Sequence, residues 1–256
     1  MRTFLVNISK CTNLKAVYQP SEKIPFLSLD PSWAWNYLYA FRYAGKTKFV
    51  LDAGCGVGYG TEELAERSLH VVGIDLSRKI IYKAKRRRRT NLSFIRADCQ
   101  NLPFKNQTFD LLTSFEVIEH IDNQHSFLKD ASRVLRQNGV LILSTPLRQD
   151  FDVPVTPRHQ REFTPKELEA LLGKYFAGVK IEAKKIVAEV WMQRHGSFIG
   201  RNLRKLRKSY FGNIIAGFYD LYLNPVHIEL QSIHASDNFE NAPTIMALAY
   251  GFQRLV

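Results

Sequence analysis

From residue 48 to residue 146 the chain alternates two hydrophobic patterns. Short apolar runs end on an acidic or small polar residue, and between them lie stretches whose apolar positions recur every three or four residues. The runs predict strands at 48–52, 71–74, 92–96 and 109–115, and a fifth opening after Gly139 in VLILSTP. The periodic stretches predict helices at 61–67, from an N-cap at Ser77 to about Arg88, and over 126–136, where Phe127, Leu128, Val134 and Leu135 line one side. Further on, Pro165 at the first helical position and Gly173 past the last bracket a helix at 165–173. Strands are predicted at 179–190 and 244–252. Before the alternation begins, Asp30-Pro31-Ser32 reads as a helix start, followed by aromatic-rich residues 33–44 and Gly45. Strands alternating with helices at this spacing predict an α/β fold with a doubly wound, mainly parallel sheet.

The first junction is the most informative. FVLDAGCGVGYG (residues 49–60) runs from an apolar strand through Asp52 into glycines at 54, 56, 58 and 60, and then into the helical TEELAE. An apolar strand, a glycine-rich turn and a helix form the first half of a βαβ unit that binds a nucleotide-like ligand. Glycine permits close approach of a ligand and backbone conformations that side chains forbid. The spacing is not that of the dinucleotide fingerprint, whose third glycine would fall where Tyr59 or Thr61 stands, and no Gly-Lys-Ser/Thr follows to make a P-loop.

Composition narrows the picture. At 256 residues, 45% hydrophobic and 23% charged, the chain can bury one full α/β core. No apolar run reaches the length of a membrane span, and MRTFLVNISK lacks the pattern of a secretory leader. Cys11, Cys55 and Cys99 are odd in number and widely spaced, which fits reduced thiols and a cytoplasmic location. The net charge of +12 resides in two patches, eight basic residues at 78–89 and six at 194–208, with no acidic residue in either. Outside them the charges nearly balance, so the surplus does not by itself argue for nucleic acid.

With Asp52 followed by Gly54, Gly56 and Gly58, this stretch resembles motif I of the class I S-adenosylmethionine-dependent methyltransferases. The similarity runs in order from about residue 48 to 146 and resumes at the last strand, where the family places an antiparallel final hairpin. The resemblance implies a seven-stranded sheet and cofactor contacts from Asp52, Gly54, Gly56, Gly58, Asp75, Leu76, Asp98 and Cys99. Asp75, 17 positions after Gly58, would grip the ribose, and Asp98 would sit at the adenine. FEVIEHI (115–121), RVLRQNGVLILSTP and RHQREFTPKEL (158–168) resemble the ubiquinone-biosynthesis O-methyltransferases and relatives from glycan and lipid gene clusters. The implied organisation is one domain over residues 1–256. Residues 1–45 form an N-terminal cap, 46–190 and 244–256 the cofactor-binding core, and 191–243 a lid or acceptor-recognition insertion.

The resemblance also suggests chemistry. A helical turn starting at Glu116 would put Glu116, Glu119 and His120 on one face. The similar ubiquinone-type O-methyltransferases and small-RNA 2′-O-methyltransferases use such a Glu-x-x-Glu-His to hold a divalent ion, and the RNA enzymes add a downstream histidine that His159 would supply here. Such a donor set suits Mg²⁺, Mn²⁺ or Zn²⁺. The bland alternative makes Glu116 and Glu119 solvated helix-start carboxylates, with His120 acting alone as base. The expected reaction is methyl transfer to a hydroxyl oxygen, with His120 and Glu116 as catalytic residues. The acceptor is expected to be a small molecule, a sugar or a lipid-linked intermediate, with an RNA 2′-hydroxyl ranked behind it. A non-catalytic cofactor-binding regulator and a nicotinamide reductase are the competing classes. Residues 197–222 read as a basic amphipathic segment for an anionic acceptor or peripheral membrane contact, or as a helix with a solvated basic face. The patch at 86–89 is expected at the far end of its helix, away from the chemistry.

Overall fold

The computed structural model describes residues 31–148, 159–186, 228–232 and 244–252. Eight strands form one sheet: β1 (Phe49–Ala53), β2 (His70–Asp75), β3 (Leu92–Arg96), β4 (Phe109–Phe115), β5 (Leu135–Pro146), β6 (Phe176–Ile186), β7 (Ile228–Ser232) and β8 (Thr244–Phe252). Their spatial order is β3-β2-β1-β4-β5-β8-β6-β7. The first five are mutually parallel, while β8 runs antiparallel between β5 and β6. The seven strands expected from the hydrophobic runs are therefore present. An eighth, β7, is added at the edge, antiparallel to β6, from within the stretch read as the insertion. The basic segment 197–222 lies outside the described residues.

Alternation along the strands assigns side chains to the two faces. Val50, Val71, Leu111, Ile142, Met246 and Leu248 pack with Tyr37, Tyr39 and Ala40 of α1 (Pro31–Ala40) and Leu64 of α2 (Tyr59–Arg67). On the opposite face Leu112, Leu141, Leu143 and Ile245 pack with Phe127 and Leu128 of α4 (Gln124–Val134) and with Leu168 and Leu172 of α5 (Pro165–Leu172). Between β2 and α4 in sequence, α3 (Arg78–Ala84) covers Phe94 with Ile81 and Ala84. Local signals set the helix starts. Ser77 caps α3, Asn123 caps α4, and Thr164 with Glu167 forms a reciprocal capping box ahead of Pro165.

Two local expectations are overturned. The helix opened by Ser77 stops at Ala84, so Arg86 to Arg89 are not its last turn. Arg87 and Arg89 instead pair with Glu62 and Glu66, and Arg87 reaches the glycine-rich turn. Nor does a helical turn start at Glu116. That residue has φ +56°, and the following turn, Ile118–His120, is a short 3₁₀ helix.

Strand order reverses at β1, whose neighbours β2 and β4 connect in opposite directions across the sheet. In such a sheet a crevice opens outside the carboxyl ends of the strands at the reversal. The glycine turn after β1, Asp75 at the end of β2 and the segment after β4 all lie at that edge.

Candidate active site

The turn after β1 is shaped by its backbone. The N–H groups of Gly54 and Cys55 donate to the carbonyl of Ile74 at 2.9 and 2.8 Å, and that of Gly58 donates to Cys55 at 3.0 Å. Gly54, Gly56 and Gly58 all have positive φ, at 77°, 55° and 82°. A Cβ on Gly54 would meet Val117 at 2.2 Å and one on Gly58 the Phe94 ring at 2.4 Å, so those two are also fixed by packing. Gly56 differs, since a Cβ there would meet nothing within 4 Å. Its open side is the floor of the crevice.

Asp75 is joined to that floor. Its Oδ2 accepts from the Gly56 N–H at 3.2 Å and its Oδ1 from the Ser77 N–H at 2.8 Å. Each carboxylate oxygen keeps a further acceptor site for a ligand hydroxyl. Leu76 beside it is 63% exposed, an apolar surface at the rim. Two residues beyond β3, Asp98 accepts from the Gln100 N–H at 2.8 Å, and Cys99 is buried. Burial, with Asp98 and Asp75 nearby, pushes the Cys99 thiol up to about 12, so it stays protonated. An open glycine, an anchored carboxylate and an exposed leucine fit a ligand that carries both sugar hydroxyls and an apolar ring.

Asp52 has a different environment. It is 1% exposed, and its carboxylate accepts from the hydroxyls of Tyr37 (3.1 Å), Thr61 (2.7 Å) and Thr113 (2.7 Å). Burial raises its pKa against the lowering effect of these donors. It thus ties α1, α2 and β4 together beneath the glycine turn. None of its three hydroxyl partners is marked by a sequence motif.

Beyond β4 the structure divides the Glu-x-x-Glu-His. The Glu116 N–H donates to the Ser144 carbonyl at 3.0 Å, its carboxylate accepts from the Ser144 hydroxyl at 2.7 Å, and that hydroxyl accepts from the Asn36 amide at 3.0 Å. Glu119 is 1% exposed, with Oε2 accepting from Thr145 at 3.0 Å and Oε1 left without a hydrogen-bond partner. Burial, with Glu116 adding to it, pushes the Glu119 carboxyl up to about 8. Donor atoms of Glu119, His120 and His159 lie within 4.8 Å of one another. Glu116 is not in that set.

The segment carrying His159 is brought in by main-chain bonds. Gln160 and Arg161 donate to the Glu119 carbonyl at 2.7 and 3.3 Å, and Phe163 bridges to Leu147 just past β5. The rings of His120 and His159 are 5.0 Å apart, nearly edge to face. Glu162, itself 4% exposed, lies 2.6 Å from His159 Nδ1. As an acceptor it takes the ring proton on Nδ1, and in the neutral ring Nε2 then carries the lone pair. The H-x-x-E spacing in RHQREF was the available signal for Glu162, and Thr145 had none beyond its place at a strand end.

Residues 51–143 match the family model described as a methyltransferase domain. A probable S-adenosylmethionine-dependent methyltransferase of Mycolicibacterium smegmatis is 34% identical over 180 residues, 69% of this chain and 64% of its own. The ubiquinone biosynthesis O-methyltransferase of Coxiella burnetii is 33% identical over 103 residues, 39% of this chain and 44% of its own. The chain thus spans less than two thirds of the length of the curated relatives it matches. Among solved structures, Haemonchus contortus phosphoethanolamine N-methyltransferase 2, in complex with S-adenosyl-L-methionine, superposes with a TM-score of 0.58 at 15% identity. That match covers 86% of this chain and 53% of the other. The glycine turn, the carboxylate bound to it, the sheet order and these similarities agree: residues 51–143 lie in a methyltransferase domain, and its fold is that of the class I S-adenosylmethionine-dependent methyltransferases.

Proposed function

We propose that this protein transfers a methyl group from S-adenosylmethionine to a hydroxyl oxygen, and that Glu119, His120 and His159 activate the acceptor. The carrying observation is the convergence of these three donors, with Glu162 behind one of them, at the carboxyl edge beside the glycine turn. S-adenosylmethionine supplies an electrophilic methyl on a sulfonium. The chain supplies the rest. Gly54, Gly56 and Gly58 floor the cofactor pocket, Asp75 receives ribose hydroxyls, and Leu76, Asp98 and Cys99 line the neighbouring rim. Asp52 acts from below, holding the turn through Thr61 and Thr113.

Two imidazoles and one carboxylate, with the buried Glu119 Oε1 lacking a partner, fit a divalent ion of the Zn²⁺ or Mn²⁺ kind better than Mg²⁺, which prefers oxygen donors. A metal there would act as a Lewis acid that lowers the pKa of a bound hydroxyl. Glu119, His120 and His159 would hold it, Thr145 and Glu162 would orient two of those ligands, and Glu116 would stay with Ser144 at the donor side. In a metal-free enzyme His120 takes the acceptor proton directly.

The acceptor we favour is a small molecule, a sugar or a lipid-linked intermediate, recognised in part by residues 191–243. Support comes from the ubiquinone-type relative and from the basic residues in 194–208. Transfer of labelled methyl to a panel of such acceptors, with and without chelator, tests the reading. His120→Ala is expected to lower turnover about a hundredfold or more. Loss of activity on chelation, restored by Zn²⁺ or Mn²⁺, identifies the metal-assisted form. Full turnover by both His120→Ala and His159→Ala would refute it.

A further inference from the structure

One arginine of the patch at 78–89 makes contacts its neighbours do not. Among the described residues the Arg89 side chain bonds Glu62 and Glu66 and does not reach the glycine turn, and Arg86 lies over the Tyr82 ring. Arg87 donates from Nε to the carbonyl of Val57 at 2.9 Å, pairs with Glu62, and stacks its guanidinium 3.7 Å from the centroid of the Tyr59 ring. Its Cδ would lie 3.3 Å from a Cβ on Gly58. It therefore touches the glycine turn and both ends of the first turn of α2.

The Val57 carbonyl and the Gly58 N–H belong to one peptide unit. Arg87 holds that unit by its oxygen, and the Cys55 carbonyl holds it by its nitrogen. The preceding glycine is fixed by Asp75. A turn with three glycines in the left-handed region has much conformational freedom to lose, and ordering it on ligand arrival would weaken binding. We propose that Arg87 is a positioning residue that pre-forms the cofactor turn before S-adenosylmethionine enters. The inference rests on the turn being the cofactor site. It gives part of the basic patch a task unrelated to the acceptor or to nucleic acid.

The test is titration calorimetry with S-adenosylhomocysteine, paired with steady-state kinetics. Arg87→Met keeps an apolar stem beside Tyr59 and Gly58 but removes the donor. Its Kd and its KM for S-adenosylmethionine should rise on the order of tenfold, with kcat at saturation unchanged. Arg87→Lys should fall between the two. Arg89→Ala removes ion pairs to the same glutamates without touching the turn, and should bind as the wild type does. Wild-type affinity in folded Arg87→Met, or an equal loss in Arg89→Ala, overturns the proposal alone. A wild-type protein that does not bind S-adenosylhomocysteine overturns it together with the cofactor reading.

Discussion

Glu119 shows how a single side chain can be set against its solvent preference. One oxygen is held by Thr145 and the other has no hydrogen-bond partner, in a position 1% exposed, so the neutral acid is favoured up to about pH 8. When the chain unfolds, the same carboxyl titrates in the ordinary carboxylate range. Between the two values the folded state holds the extra proton. The stabilisation from this group is therefore complete below the unfolded pKa and is lost as pH rises toward 8. In chelator-treated protein, urea unfolding at about pH 5 and about pH 8 should show wild type losing stability relative to Glu119→Gln as pH rises. Parallel pH profiles for the two would mean that the carboxyl is not buried as described. The contrast with Glu116 was hidden in the sequence. Both glutamates follow an apolar residue in FEVIEH, but only the tertiary fold gives one a serine partner and the other a histidine pair.

At the level of elements, α1 and α2 pack together, most closely at one glycine. Gly60, the second residue of α2, lies directly against the buried Tyr37 ring, where a Cβ would come within 2.1 Å. The same tyrosine donates to Asp52, so the helix preceding the sheet is keyed to the end of β1. Gly60→Ala should cost about 1–3 kcal/mol by overpacking. In a Tyr37→Leu background the added cost of Gly60→Ala should shrink, which a double-mutant cycle by denaturant unfolding would measure. Additive costs would place the strain elsewhere. The glycine itself was legible as the fourth of an alternating series, but its reason was not. The first three have positive φ, whereas Gly60 is needed only because a remote ring fills its place. Helix starts were legible because Ser77, Thr164 and Pro165 act within a few residues of themselves. The end of α3 was not, because Arg87 and Arg89 turn toward partners some twenty to thirty residues away.

For the molecule as a whole, a ligand that binds only the folded chain must stabilise it. S-adenosylhomocysteine at a hundred times its Kd should add about 2.7 kcal/mol and raise the melting temperature accordingly. Gly56→Ala separates this effect from folding. Its Cβ meets no atom, so the main intrinsic cost is the left-handed backbone, about 1–2 kcal/mol, while the methyl intrudes on the crevice. The variant should stay folded and lose most of the ligand-induced shift. An undiminished shift would move the cofactor away from that floor. Among the described residues no helix is long and apolar enough to cross a membrane.

The sequence by itself determined the order of the main helices and of every strand but β7, the glycine turn and the acidic residue at the end of β2. Each of these is written in contiguous residues, as apolar period, cap or backbone freedom. The tertiary structure alone decided which side chains became partners. It buried Asp52 among three hydroxyls, gave Glu116 to Ser144, brought His159 and Glu162 to Glu119 and His120, and laid Arg87 on the glycine turn. Those pairings depend on where distant segments cross at the edge of the sheet, and a one-dimensional pattern does not encode that distance.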